Sequence, residues 1–351
     1  EKITTFLKGD ALMQKLHREI CNTIEDHDYL TYRKVAESIG STKQEMSQYH
    51  STGQLSFRKF LRLSFVLHPQ NQKEVMDRWC LCFNTTESIK QSFEYASITR
   101  NKELLKTLID KYKEDKSLSK YIAVYSILYD FYIDNITAND LIDRLNDVGQ
   151  LKGDLVILSD IVKCYNYYYV EEFHLMLATA KQALKAIHKL SDRQLFIKES
   201  LLHRIAEVLG HVSLHLNDIE SARFYAKIII NANICAKTVS GAYYILGMTY
   251  LAEDKTKCIE YLRARYEIAR TLGEESIERN ARRGLDIAKL YLNVQLDADS
   301  DPILQRLQND KGSEFELNLI KEAAFKQGDD GILVILKGIA NNSVKKLHEY
   351  R

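Results

Sequence analysis

Six polar side chains between Thr42 and Ser51 follow helical spacing and have the chemistry to contact nucleic acid. They are Thr42, Lys43, Gln44, Ser47, Gln48 and Ser51. Amide, hydroxyl and ammonium groups of this kind form hydrogen bonds with base edges in the major groove of DNA and with phosphate oxygens. If a helix turns them to one outward face, the segment predicts a DNA-binding surface.

The residues before this segment predict the first helix of a helix-turn-helix unit. Val35 and Ile39 lie four positions apart and so share one face of a helix. Ala36 is the small residue that lets a second helix cross closely. Gly40 ends the helix, because glycine adopts the left-handed conformation of a C-terminal cap at the lowest cost.

The second helix of the unit would carry the polar face. Met46 and Tyr49 are spaced i and i+3, so they predict its buried side. Ser41 or Thr42 can cap its first turn, and Glu45 is placed to close a capping box. The polar residues then face away from the buried pair, as in a recognition helix.

The stretch from residue 29 to residue 68 carries a surplus of positive charge. Its charged residues are Arg33, Lys34, Lys43, Arg58, Lys59 and Arg62 against Glu37 and Glu45. The whole chain has a formal net charge of only +1, so the basic surface is local. Arg33, Arg58 and Lys59 are therefore predicted to hold DNA phosphates. The alternative is a helical hairpin with solvated polar faces.

Two prolines in 351 residues predict an all-α fold, because proline breaks helix interiors. Pro69 falls in a polar break, and Pro302 follows Asp301, which can cap a helix that begins at the proline. We predict a helix-turn-helix domain at residues 1–68. Residues 69–351 are predicted to form a degenerate tetratricopeptide-like solenoid that binds a peptide and forms a dimer.

A glycine recurs every 37 residues in the second domain, at Gly210, Gly247 and Gly284. Tetratricopeptide hairpins have a period of about 34 residues, and a glycine in the first helix lets the second pack closely. The two better copies match further positions of that pattern: Tyr243, Leu246 and Tyr250 in one, Leu209, Ala222, Tyr225 and Ala226 in the other. Arg265 stands where such a repeat has a small residue, so the repeat is degenerate.

The concave face of such a solenoid is lined by the first helices and can bind an extended peptide. In the register of the three glycines, the predicted lining residues are Arg204, Glu207, His211, Lys237, Tyr244, Met248, Glu278 and Arg282. His211 and Tyr244 can form hydrogen bonds with a peptide backbone, and Lys237 or Arg282 can take a terminal carboxylate.

No other chemistry is indicated. His211 and His215 stand one turn apart and could hold zinc, but no third ligand is evident, so we interpret them as a polar stripe facing the groove. The six cysteines are scattered, and no nucleotide-binding or paired-carboxylate motif occurs. No signal peptide or membrane span is apparent. We predict a cytoplasmic, non-enzymatic protein without a cofactor or a metal.

The segment Phe93–Leu145, FEYASITRNKELLKTLIDKYK…YIAVYSILYDFYIDNITANDLIDRL, is similar to the arbitrium receptors (AimR) of Bacillus phages, which belong to the RRNPP group of peptide-sensing regulators. The resemblance implies a dimeric transcription regulator in the bacterial host cell, which binds operator DNA and is switched by a short imported peptide. In that family the peptide turns off activation and favours lysogeny over lysis. Ser213 and Met248 stand where the family's groove has asparagines, and Lys237 stands where it has a basic residue.

Two functions fit these features. The first is the peptide-gated regulator, binding an inverted-repeat operator as a dimer, since one helix-turn-helix covers too few base pairs for useful specificity. Peptides of the resembled family commonly carry an arginine, for which Glu207 or Glu278 would be the counter-charge. The second is a repeat adaptor or response-regulator inhibitor that binds only proteins, which would expose apolar anchors on the recognition helix.

The final residues, NSVKKLHEYR, keep a helical pattern, so we expect a helix that continues past Arg351.

Overall fold

The protein is helical throughout the part that the computed structural model describes, residues 2–310 and 314–326. The predicted all-α fold is confirmed. The α-helices of the described residues are α1 (Lys2–Glu25), α2 (Tyr32–Ile39), α3 (Lys43–Thr52), α4 (Phe57–Leu67), α5 (Gln72–Cys80), α6 (Thr86–Ile98), α7 (Lys102–Tyr112), α8 (Ser119–Tyr132), α9 (Ala138–Asp147), α10 (Asp154–Tyr169), α11 (Phe173–His188), α12 (Leu195–His215), α13 (Ile219–Ala232), α14 (Ala236–Thr249), α15 (Lys255–Thr271), α16 (Glu275–Tyr291), α17 (Pro302–Asn309) and α18 (Glu314–Lys326). Short 3-10 turns precede α8 and α12.

Both prolines mark helix boundaries, as their positions predict. Pro302 is the first residue of α17, and the side chain of Asp301 accepts hydrogen bonds from the N–H groups of Ile303 and Leu304. Proline fits there because the first helical residue has no intrahelical partner for its N–H. Pro69 lies in the break between α4 and α5.

The helices α2 and α3 are joined by a short turn, which is consistent with the predicted helix-turn-helix, and the residues predicted for its core are buried. Val35, Ala36 and Ile39 of α2 are buried, as are Met46 and Tyr49 of α3. Because the buried residues of each helix lie on one side, the opposite side of α3 is left to solvent.

Gly40 makes the turn between α2 and α3. Its φ of 67° is left-handed, and the next N–H, that of Ser41, donates to the Ala36 carbonyl over 2.8 Å. A Cβ at this position would lie 2.7 Å from Nη1 of Arg62, and the same Nη1 donates to the carbonyl of Ile39. The glycine thus permits both the backbone conformation and the approach of the arginine.

An aromatic cluster fixes the start of α4 within the first part of the chain. The ring centroid of Phe57 lies 4.7 Å from that of Phe196 in α12 and 5.5 Å from that of Phe83. Phe60 packs 6.2 Å from Trp79 of α5 and 5.0 Å from Phe83. A buried phenylalanine contributes about 2–3 kcal/mol through the hydrophobic effect, so α4 is held firmly against these neighbours.

The chain divides into two compact units, Glu1–Ile205 and Ala206–Arg351, and the division falls within α12. The helix-turn-helix belongs to the first unit. The predicted boundary at residue 68, between a DNA-binding and a peptide-binding domain, remains a prediction. The closing sequence NSVKKLHEYR lies outside the described residues.

In the second unit the recurring glycines lie at close helix contacts. A Cβ on Gly247 of α14 would meet Cγ of Leu262 in α15 at 2.7 Å, and one on Gly210 would meet Cδ1 of Ile245 at 2.9 Å. A side chain at either position would push the neighbouring helix away. This agrees with the close packing that the glycine period predicts.

Candidate DNA-binding and ligand-binding sites

The outward face of α3 is the candidate DNA-binding surface. All six polar residues predicted for it are exposed: Thr42, Lys43, Gln44, Ser47, Gln48 and Ser51. Thr42 caps the helix by accepting a hydrogen bond from the Glu45 N–H over 3.1 Å, and the Glu45 carboxylate accepts the Thr42 N–H over 3.2 Å. The predicted capping box is therefore confirmed, and it fixes the first turn of α3.

Each of the three predicted phosphate ligands is already paired with a carboxylate. Arg33 donates to Glu37 over 3.1 Å on the exposed surface of α2. Lys59 of α4 is ion-paired with Glu45 of α3. The third, Arg58, is paired with a carboxylate of α12. A phosphate that binds at any of them must therefore either replace the carboxylate or use the donors that the carboxylate leaves unoccupied.

The Glu45 carboxylate accepts three hydrogen bonds on this surface. Hydrogen bonds from Lys59, the Ser41 hydroxyl and the Thr42 backbone lower the pKa of Glu45 to about 2, from an ordinary value of 4.5. The side chain is thus ionised at neutral pH. It serves the helix cap and holds the lysine at the same time.

A cleft of about 660 Å³ opens beside α3, within the first unit. Its lining includes Glu45 and Gln48 of α3, His17 of α1, Lys59 of α4 and Ser88 of α6. Gln48 therefore lies at the border between the cleft and the outward face of α3. The remaining predicted base-reading residues do not line it.

In the second unit, four of the predicted ligand-binding residues lie half-buried on two helices. Glu207 and His211 are on α12, and Tyr244 and Met248 are on α14. Burial lowers the pKa of His211, the nearby Glu207 carboxylate raises it, and the charge of Arg265 lowers it further. Glu207 and His211 stand four positions apart on α12 and so share one face of that helix.

Arg265 is a candidate site residue that the sequence interpretation missed. Its guanidinium lies 4.7 Å from the ring centroid of Tyr244, and a Cβ on Gly284 would approach its Nη1 to 2.8 Å. The glycine of the third repeat therefore gives room to the guanidinium. The sequence did contain an indication of this role, because Arg265 stands where a tetratricopeptide repeat normally has a small residue.

Arg204 lies in the first unit and is buried in a polar network. Its Nε donates to Glu94 over 2.8 Å and its Nη2 donates to Ser97 over 2.9 Å. The hydroxyls of Tyr125 and Ser200 also donate to Glu94. Separating a buried ion pair leaves an uncompensated charge and costs about 3–5 kcal/mol. We therefore leave Arg204 out of the proposed groove.

Arg282 is also committed to partners within its own unit. It forms ion pairs with Asp286 and Asp299 and donates to the Ser300 hydroxyl over 2.7 Å. The residue 37 positions earlier, Ile245, is buried. Arg282 thus occupies the repeat position whose equivalent in the Gly247 copy, Ile245, faces the interior of the unit. Its guanidinium is available to a peptide carboxylate only if these aspartates release it.

The last two predicted ligand-binding residues are placed differently from one another. Lys237 is exposed at the start of α14, with its Nζ 3.9 Å from a carboxylate oxygen of Glu274. Glu278 is half-buried on α16.

Among the described residues, no group of histidine, cysteine, aspartate and glutamate side chains is arranged to hold a metal ion. No helix of the described residues is long and apolar enough to cross a membrane.

The described part of the chain is all-helical and carries both candidate surfaces. A family model described as AimR transcriptional regulator-like matches residues 72–347. Because that match covers most of the chain, the protein belongs to this family. The matched range begins after the helix-turn-helix, so the candidate DNA-binding surface lies outside it.

Two solved structures share the fold. The structure of SeMet-phAimR aligns with a TM-score of 0.70 at 19% identity, covering 95% of this chain and 91% of that one. The structure of phAimR-Ligand aligns with a TM-score of 0.59, also at 19% identity, covering 85% of this chain and 92% of that one. No curated protein matches the chain.

Proposed function

We propose that the protein is a cytoplasmic, dimeric phage transcription regulator that binds operator DNA and is gated by a short imported peptide, and that it takes part in the choice between lysis and lysogeny. The observation that carries the proposal is the capped recognition helix α3, whose outward face is exposed and polar, in a chain of the AimR-like family. A recognition helix of this kind reads base edges while neighbouring cations hold phosphates.

On this proposal, Lys43, Gln44, Ser47 and Gln48 contact bases, because their side chains leave the helix on the solvent side. An amide can form paired hydrogen bonds with adenine and a lysine can donate to guanine. Lys59 and the arginines provide the phosphate contacts, which are independent of sequence.

Glu207, His211, Tyr244 and Met248 are proposed to bind the peptide, together with Arg265. An extended peptide exposes backbone N–H and C=O groups that need partners when buried. Carboxylate, imidazole, phenol and guanidinium groups can supply those partners, and the thioether adds an apolar surface. The structure of phAimR-Ligand, which shares the fold, supports a ligand-binding role for this protein.

A mobility-shift assay tests the DNA-binding part. The operator is first selected from a random duplex library. Gln48→Ala should then lose about 1–3 kcal/mol on the selected site and discriminate less between sequences. Gln182→Ala, an exposed amide on α11, is the matched control. If wild-type protein enriches no sequence, residues 1–68 do not form an operator-binding head.

Calorimetry with the short peptide encoded beside the gene tests the ligand. Glu207→Ala and Tyr244→Ala should each weaken binding by at least about 1 kcal/mol, since buried polar groups of the peptide lose partners. Glu220→Ala and Tyr29→Ala remove exposed residues of the same types elsewhere and should leave binding unchanged. Unaltered affinity in both groove variants would move the ligand site to another face.

A further inference from the structure

Arg58 is held by a carboxylate that lies 141 positions away in the sequence. Its Nε donates to one oxygen of Glu199 over 2.7 Å, and its Nη2 lies 2.7 Å from the other. The two side chains therefore form a bidentate salt bridge between α4 and the first turns of α12. This is the geometry in which a guanidinium also binds two oxygens of a phosphate.

The Nε–Nη2 edge of Arg58 cannot bind a carboxylate and a phosphate in this way at the same time, and the Glu199 charge also repels a phosphate that approaches the remaining Nη1 side. We propose that Glu199 is a built-in competitor of DNA, which occupies the phosphate-binding edge of Arg58 when no DNA is bound. The proposal rests on the proposed function, in that the helix-turn-helix unit is taken to bind DNA. It adds a residue outside that unit that sets the DNA affinity.

The pair is accessible enough to be exchanged. The side chain of Arg58 is 25% exposed and that of Glu199 is 31% exposed, whereas the values for the buried pair of Arg204 and Glu94 are 6% and 1%. Solvent screens a partly exposed pair and reduces its contribution to stability. A DNA phosphate, brought close by contacts along α3, can therefore displace the carboxylate of Glu199.

The position of Glu199 is fixed by packing next to the ion pair. Phe57, which precedes Arg58, contacts Phe196, which stands three residues before Glu199 and so on the same face of α12. Both rings are buried. The packing of these two rings thus places Glu199 beside Arg58. A shift of the first turns of α12 relative to α4 would withdraw the carboxylate and raise DNA affinity.

Binding to a short duplex of mixed sequence tests the proposal, because phosphate contacts do not depend on the operator. Dissociation constants are measured from about 50 mM to about 200 mM salt for wild type, Glu199→Gln and Glu199→Asp. The glutamine variant keeps the shape and removes the charge, and it should bind about fivefold more tightly than wild type. Its dependence of log affinity on log salt should steepen by up to about 0.9, the value for one phosphate contact, because Arg58 makes this contact fully in the variant and only in part in the wild type. The aspartate variant, which withdraws the charge by one methylene, should lie between the two.

Two controls separate competition from other effects. Glu114→Gln makes the same change of net charge at an exposed site and should leave affinity and salt dependence unchanged. In an Arg58→Gln background, Glu199→Gln should have no further effect, because the competitor acts through the arginine. Thermal unfolding of each variant is recorded alongside.

The outcomes are distinct. If wild type binds the duplex and Glu199→Gln binds no more tightly, or loses affinity as the protein is destabilised, the pair is a structural clamp and the proposal is overturned. The same holds if the gain persists without Arg58. If neither wild type nor any Glu199 variant binds duplex DNA at the lowest salt, the proposed DNA-binding function itself fails.

Discussion

At the scale of single residues, Glu45 links two properties of the candidate DNA-binding surface. Its carboxylate closes the capping box of α3 and pairs with Lys59 of α4. A change at Glu45 therefore alters the start of the recognition helix and also the freedom of a predicted phosphate ligand. These two effects act in opposite directions on DNA binding, so stability is the clearer measurement.

Glu45→Gln should lower the free energy of unfolding by up to about 1 kcal/mol at neutral pH, because glutamine can still close the capping box but loses the negative charge that pairs with Lys59 and favours the start of α3. Folding lowers the pKa of Glu45 from 4.5 to about 2. Ionisation of this side chain therefore stabilises the folded state relative to the unfolded state. That contribution is fully present above pH 4.5 and is lost as the pH falls towards 2. Thermal unfolding from neutral to acidic pH should show the difference between wild type and variant shrinking over this interval.

Glu37→Gln is the matched control for that experiment. It removes an exposed carboxylate that pairs with Arg33 within one helix, and such pairs contribute only about 0.3–0.5 kcal/mol. A Glu45 variant no less stable than the Glu37 variant would contradict the proposed contribution of the Glu45 charge.

At the scale of helices, the second unit depends on close contacts between neighbours in the chain. Gly247 lies where α14 meets α15, whereas a Cβ added to Gly241 of the same helix would meet no neighbouring atom within 4 Å. The two glycines therefore have the same intrinsic helix propensity, but only Gly247 is closely packed against a neighbouring helix. This makes them a natural pair for measuring the packing contribution alone.

Gly247→Ala should destabilise the protein by about 1–3 kcal/mol, since its Cβ would overlap Leu262 and force the helices apart. Gly241→Ala should instead stabilise it by up to about 1 kcal/mol, because alanine loses less backbone entropy in a helix. Chemical denaturation of both variants measures the difference. Equal effects of the two substitutions would show that the α14–α15 contact relaxes without cost.

Local structure was predictable from the sequence because its determinants lie within a few residues of one another. Gly40 ends α2, Thr42 and Glu45 form the capping box, and Asp301 caps the helix that begins at Pro302. Each interaction spans only a few positions. Residue type and spacing were sufficient to identify all three.

Partners distant in the sequence were not predictable. Arg58 meets a residue 141 positions away and Arg204 meets one 110 positions away. Both arginines were assigned to ligands because a sequence pattern gives the face of a helix but not the carboxylate on the neighbouring one. Arg265 was missed for the same reason, since its approach to Gly284 depends on how α15 and α16 pack.

At the scale of the whole molecule, the functional prediction concerns the number of DNA-binding units. One recognition helix contacts few base pairs, and specificity against a genome requires more. The chain has one helix-turn-helix at α2 and α3 among its described residues. A second copy of the chain, related by twofold symmetry, would supply the second unit and would require an inverted repeat.

We expect sedimentation velocity at micromolar concentration to give a dimer, with or without DNA. A duplex that holds both half-sites should bind at least about tenfold more tightly than one in which the second half-site is scrambled, because the second contact becomes intramolecular. Changing the spacing between half-sites by half a helical turn places them on opposite faces of the duplex and should abolish that gain. Monomers that bind a single half-site as tightly as the full operator would contradict the dimer, and would leave each helix-turn-helix to act alone.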